Sequence, residues 1–170
     1  MWAIAINPSA GHGKGISVGE SVVQYFSDKK MQYQVFSAPT ASSLRSELET
    51  FLSRESVEGV ICVGGDGLAH LVLQIVVPRH IPFAILPAGT GNDIVRTLGW
   101  SLDDVTSQLD RITSTAPQPI DLGNVDSEWF AAILSTGFDS VVNERANVLA
   151  WPKGPQRYNV AIALELPRFV

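Results

Sequence analysis

Three times along this chain a short apolar run breaks off into a glycine-rich loop, and each loop precedes apolar residues repeating at helical spacing. The runs span 2–6, 57–63 and 82–86. The loops are Asn7-Pro8-Ser9-Ala10-Gly11-His12-Gly13-Lys14-Gly15, Gly64-Gly65-Asp66-Gly67 and Pro87-Ala88-Gly89-Thr90-Gly91-Asn92-Asp93. An apolar period that switches between 2 and about 3.6 residues predicts strands alternating with helices, the pattern of a parallel α/β sheet. From about Gly15, Val18, Val22, Tyr25 and Phe26 share one helical face, and 33–36 reads as another strand. Thr40-Ala41-Ser42-Ser43 is a cap cluster ahead of Leu44, Leu48, Phe51 and Leu52. Leu68, Leu71, Val72, Ile75 and Val76 predict a buried helix after the second loop. Ser101-Leu102-Asp103-Asp104 has the form of a capping box, with Trp100 and Val105 as its staple, opening a helix through Leu109 and Ile112.

From Ile120 the pattern changes. A strand at 120–123, a turn at Asp126-Ser127 and a strand at 129–134 read as antiparallel neighbours. The expected division is an α/β domain with the ligand-binding loops over 1–119 and the incomplete start of a second domain over 120–170, with helical spacing in 141–150 and 158–169. At 170 residues, 45% hydrophobic and 17% charged, the composition is globular. A net charge of −5 removes the basic footprint of a general nucleic-acid binder. One cysteine, Cys62, allows no internal disulfide and sits in an apolar run, as a buried strand residue does. No apolar stretch approaches the roughly 20 residues of a membrane-spanning helix, and the first residues lack the basic region of a signal peptide. The expected setting is the reducing cytoplasm.

The glycine loops lie at the carboxyl ends of the predicted parallel strands, the edge at which open α/β sheets bind ligands. Main-chain amides in such loops, ahead of a helix, hold phosphate oxygens. The first loop fits neither named phosphate motif. A Walker A loop needs glycine where Pro8 stands and Ser or Thr where Gly15 stands, and the dinucleotide pattern needs a third glycine where Val18 stands. Asp66 has two readings, a helix cap or an acid that organises magnesium and the attacking hydroxyl in phosphoryl transfer. The same two readings apply to Asp93 and to Asp121, and three such acids at one cleft would make a phosphoryl-transfer site. His12 and His80 read as surface residues, and the histidine spacing is not that of a zinc site.

Taken together, the blocks resemble the bacterial diacylglycerol kinase and lipid kinase family, which includes sphingosine and ceramide kinases. Asn7-Pro8-Ser9-Ala10-Gly11 is similar to its Asn-Pro-x-x-Gly opening, and residues 64–67 to its Gly-Gly-Asp-Gly loop. Residues 87–93 are similar to its Pro-x-Gly-Thr-x-Asn-Asp signature. Ile120-Asp121-Leu122-Gly123 with Ser135-Thr136-Gly137-Phe138-Asp139 is similar to its fourth block. The Gly-Gly-Asp-Gly loop is shared with NAD kinases and phosphofructokinases, whereas four blocks in this order are specific to the lipid kinases.

The resemblance implies an ATP-dependent transferase of phospholipid biosynthesis, phosphorylating the hydroxyl of diacylglycerol or a related lipid. It implies an N-terminal α/β domain like that of phosphofructokinases and NAD kinases, a β-sandwich second domain, and ATP in the cleft between them. The implied nucleotide contacts are Asn7, Pro8, Ser9, Ala10, Gly11, Thr40, Gly64, Gly65, Asp66, Gly67 and Thr90. Asp66, Asp93 and Asp121 match acids of a water-linked magnesium network, with Asp66 orienting the nucleophile. Peripheral contact with the inner membrane face goes with a lipid substrate, and exposed strand edges go with self-association.

The sequence departs from the family pattern where Leu68, His70 and Leu71 stand for Thr, Asn and Glu, and where Ala132 stands for Asn. His70 reads either as a substitute nucleotide contact or as a helix-surface residue. The resemblance also implies that the general base and direct magnesium ligands lie beyond Val170, so that the 170-residue chain binds ATP weakly and turns over lipid slowly or not at all. Two other readings stay open: an NAD kinase-like enzyme, and a non-catalytic nucleotide-binding or assembly module.

Overall fold

The computed structural model describes residues 1–100, 104–152, 154 and 156–168. Four strands, β1 (Trp2–Ile6), β2 (Tyr33–Phe36), β3 (Gly59–Gly64) and β4 (Phe83–Pro87), pair in parallel in the order β2-β1-β3-β4. Every residue of β1 and β3 is buried, which is why both read as unbroken apolar runs. Alternate side chains go to opposite faces. Ala3, Ala5, Val60 and Cys62 pack with α2 (Ala41–Leu52), α3 (Asp66–Val76) and α4 (Asp93–Thr97). Trp2, Ile4, Ile6, Ile61 and Val63 pack with α1 (Lys14–Asp28) and α5 (Val105–Ser114).

Caps fix where the helices begin. Thr40 Oγ1 accepts from the Ser43 N–H at 3.1 Å and starts α2 as its sequence cluster predicts. Asp104 Oδ2 accepts from the Ser107 N–H at 3.0 Å, so Asp104 itself caps α5. The Ser101, Leu102 and Asp103 part of the predicted capping box lies outside the described residues. A hydroxyl and ion cluster ties α1 to α5: the Tyr25 hydroxyl donates to Asp110 Oδ1 at 2.7 Å, and Lys29 Nζ donates to the same oxygen at 2.8 Å.

The antiparallel pair is shorter than the sequence pattern predicts. It comprises β5 (Gly123–Val125) and β6 (Glu128–Phe130), turning at Asp126 and Ser127, both with positive φ, as a two-residue hairpin requires. The hairpin forms its own two-stranded sheet and lies along α3. Gln74 donates to the Trp129 carbonyl at 2.7 Å and accepts the Trp129 N–H at 2.9 Å, acting toward β6 as a neighbouring strand would.

The chain divides into two compact units, Met1–Ala132 and Ile133–Val170. The hairpin belongs to the first, so the division falls beyond the change of pattern at Ile120. The second unit is a pair of helices, α6 (Phe138–Val148) and α7 (Gln156–Glu165), around Val142, Ala146 and Ala161. The segment expected to open a β-sandwich thus supplies one hairpin and then helices. The predicted helix end at Phe169 lies outside the described residues.

Candidate functional site

The strand order sets β1 beside β3 and β3 beside β4, so the three glycine loops at their carboxyl ends are neighbours. In the first, the Asn7 N–H continues the ladder to the Val63 carbonyl at 2.9 Å. Its Oδ1 then accepts from both the N–H and the hydroxyl of Ser9, at 3.1 and 2.8 Å, which turns the chain away from the sheet. Gly11, His12 and Gly13 all adopt positive φ before α1 begins. A side chain at Gly11 would run into the Ala88 carbonyl, so the first and third loops meet through this residue.

The second and third loops are bound more closely. The Gly64 carbonyl accepts from the Ala88 N–H at 2.8 Å and the Gly89 N–H at 3.3 Å. A Cβ on Gly89 would stand 2.6 Å from the Gly65 Cα, so the two loops touch main chain to main chain. Asp66, the first residue of α3, accepts the Ile94 N–H of α4 at 3.1 Å on Oδ1. A Cβ on Gly91 would lie 3.0 Å from the other Asp66 oxygen and 3.4 Å from Oδ2 of Asp93, so both carboxylates border the same glycine.

Around these loops opens a cleft of about 610 Å³. Asn7, Ser9, Ala10, Gly11, Thr40, Gly65, Asp66, Gly67 and Thr90 line it. Two of the expected nucleotide residues do not. Pro8 is exposed and ends β1, and Gly64 is buried beneath the floor, where its carbonyl holds the third loop. The sequence reading missed an apolar wall formed by Ala38, Pro39, Leu44, Leu68 and Leu71. The signal was available: β2 is parallel to β1, so the segment after Phe36 reaches the same edge.

Three acids were expected at this cleft; the geometry brings Asp66 and Asp93 to the same glycine, Gly91, and of the three only Asp66 lines the cleft. Asp121 precedes β5 instead of ending a strand of the main sheet, and it is exposed. The strand-end logic that carries Asp66 and Asp93 to the edge therefore does not apply to it. Among the described residues no three His, Cys, Asp or Glu side chains gather closely enough to hold a metal ion. His70 is on the surface of α3, its Nε2 3.1 Å from Glu128 Oε1 of the hairpin, and it does not line the cleft. Cys62 is fully buried in β3, where burial pushes its thiol pKa up and keeps it from acting as a nucleophile.

Residues 1–125 match the family described as the diacylglycerol kinase catalytic domain. A diacylglycerol kinase of Mycobacterium tuberculosis (strain H37Rv) is 32% identical over 167 residues, covering 95% of this chain and 54% of that protein. Sphingoid long-chain bases kinase 1 of Arabidopsis thaliana is 30% identical over 182 residues, 98% of this chain and 24% of that protein. The crystal structure of a diacylglycerol kinase from Bacillus anthracis shares the fold with a TM-score of 0.63 at 24% identity, over 76% of this chain and 45% of that one. The chain spans about half the length of its mycobacterial relative. With most of the first unit matched, and the matched blocks forming the walls of one cleft, the chain belongs to the diacylglycerol kinase catalytic domain family.

Proposed function

We propose that this chain carries the nucleotide-binding part of a lipid kinase, which transfers the γ-phosphoryl group of ATP to the hydroxyl of diacylglycerol or a related lipid. The observation that carries the reading is the cleft itself, whose lining combines a glycine floor, the Asp66 carboxylate with Asp93 close behind it across Gly91, and an apolar wall. An apolar wall suits a flat base, and loop amides ahead of α1 and α3 suit phosphate oxygens. Phosphoryl transfer asks the protein mainly for positioning and charge neutralisation, which rigid loops and fixed dipoles supply.

Magnesium is bound in such sites by one or two carboxylates together with substrate phosphates and water. Asp66 and Asp93, both hard oxygen donors beside Gly91, fit that donor set. When bound, the ion would neutralise charge on the transferring phosphoryl group. Asp66 would also orient the acceptor hydroxyl. The lipid acceptor places the protein briefly at a membrane surface, and among the described residues no helix is long and apolar enough to cross one. Strands β2 and β4 are the edges of the sheet, and pairing of such an edge with a second copy would give self-association.

The test offers the protein γ-labelled ATP with diacylglycerol micelles and with NAD in parallel. Weak ATP binding with, at most, slow label in phosphatidic acid is the expected result. Label in NADP overturns the lipid reading in favour of an NAD kinase. ATP binding with transfer to neither acceptor favours a nucleotide-binding module, and no ATP binding at all overturns the use assigned to the cleft.

A further inference from the structure

Helix α4 opens without a cap of its own. Its N-cap residue, Asn92, sits at φ 56 and ψ 42, and its Nδ2 donates to the Gly89 carbonyl at 3.0 Å. The other end of that amide, Oδ1, is buried with no hydrogen-bond partner. The side chain that would ordinarily serve the first-turn amides is therefore committed to folding the loop behind it. First-turn N–H groups have no acceptor within their own helix. One of them, on Ile94, finds its acceptor on a different helix: Oδ1 of Asp66, 28 residues earlier, at 3.1 Å.

We propose that Asp66 is the N-terminal cap of α4, supplied from α3, and that this hydrogen bond sets the shape of the loop presenting Gly89, Thr90 and Gly91 to the cleft. Asp66 is then a positioning residue for the third loop, apart from what its charge does for a bound phosphate or cation. The two roles use different atoms. Oδ1 caps, whereas Oδ2 faces Gly91 and lies on the side of Asp93. Capping needs only an acceptor oxygen, which an asparagine also offers in the same place. Charge neutralisation needs the carboxylate. Asp66→Asn therefore keeps the first role and removes the second, and Asp66→Ala removes both.

The experiment measures amide hydrogen exchange at Ile94 in the ligand-free protein, together with ATP affinity in EDTA and in excess magnesium, for the parent, Asp66→Asn and Asp66→Ala. Losing a charge-assisted cap should speed exchange at Ile94 about five- to tenfold in Asp66→Ala. Asp66→Asn should keep exchange at Ile94 within about threefold of the parent, since the acceptor survives without its charge, while losing the gain in ATP affinity that magnesium confers. An Asp66→Ala protein too unstable to study, beside a folded Asp66→Asn, also supports the cap. The proposal is overturned if the two variants exchange alike at Ile94, if Asp66→Ala exchanges as the parent does, or if Asp66→Asn fails to fold. The ATP arms rest on the nucleotide reading of the cleft and the exchange arm does not. A parent that binds no ATP therefore refutes that reading and leaves the cap to be judged by exchange.

Discussion

Gly67 and Gly89 both line the cleft, yet only Gly89 is short of space. Nothing lies within 4 Å of where a Cβ on Gly67 would stand, in the first turn of α3. Gly67→Ala should raise stability by about 0.5–1 kcal/mol, by restricting the unfolded chain and favouring the helix. At Gly89 the same methyl meets the Gly65 Cα at 2.6 Å, and neither backbone is free to yield. Gly89→Ala should cost about 1–3 kcal/mol, as overpacking does in a close-fitted interior. Urea unfolding of the two variants measures both, and shifts of the same sign would show that the second and third loops are not in the contact described.

The elements are held to one another by a few polar ties. Lys29 and Asp110 join α1 to α5; the Lys29 ammonium holds the Asp110 carboxyl below its ordinary 3.8, and Asp110 in turn raises Lys29 above 10.5. The carboxylate's contribution is present above pH 3.8 and lost as pH falls through its lower folded value. The ammonium's contribution is present below pH 10.5 and lost as pH rises through its higher folded value. The urea midpoint of the parent should therefore exceed that of Asp110→Asn at neutral pH, with the gap closing at both extremes. A gap that persists in strong acid would deny the tie. Gln74 fastens the hairpin to α3, and Gln74→Leu should leave both main-chain groups of Trp129 without their partner, at a cost of about 1–3 kcal/mol visible as faster exchange of the Trp129 amide. Which elements the sequence revealed follows from where their stabilising partners lie. β1 and β3 are continuous apolar runs, and α2 carries its own cap in Thr40, so all three were legible locally. Helix α4 has five residues and takes its acceptor from Asp66, which no local pattern records. The hairpin's bounds moved because its position comes from Gln74, a residue that reads only as the polar face of a helix. Most of the cleft's residues were legible because glycine-rich strand ends declare themselves. Its apolar wall was not, since Ala38, Leu44, Leu68 and Leu71 look like ordinary core.

At the scale of the molecule, the two units differ sharply in how much they bury. The first packs two large clusters on the faces of its sheet, whereas the second has Val142, Ala146 and Ala161 at its centre and leaves Ile133, Val148, Leu166 and Trp151 exposed, the last at 77%. Amides of α6 and α7 should exchange well before those of β1 and β3, and equal protection across the two units would contradict so small a core. The exposed apolar side chains should also make scattering mass rise with protein concentration, and a constant monomer mass would count against that. A last consequence concerns the floor of the cleft, where main chain touches main chain at Gly65 and Gly89. A small inhibitor seated there would grip peptide groups, which every sequence shares, and bulkier replacements of the two glycines beneath it cost stability, most of all at Gly89. Resistance would then have to arise at the side chains around that floor, so a compound that leans little on them leaves the protein few ways to escape it.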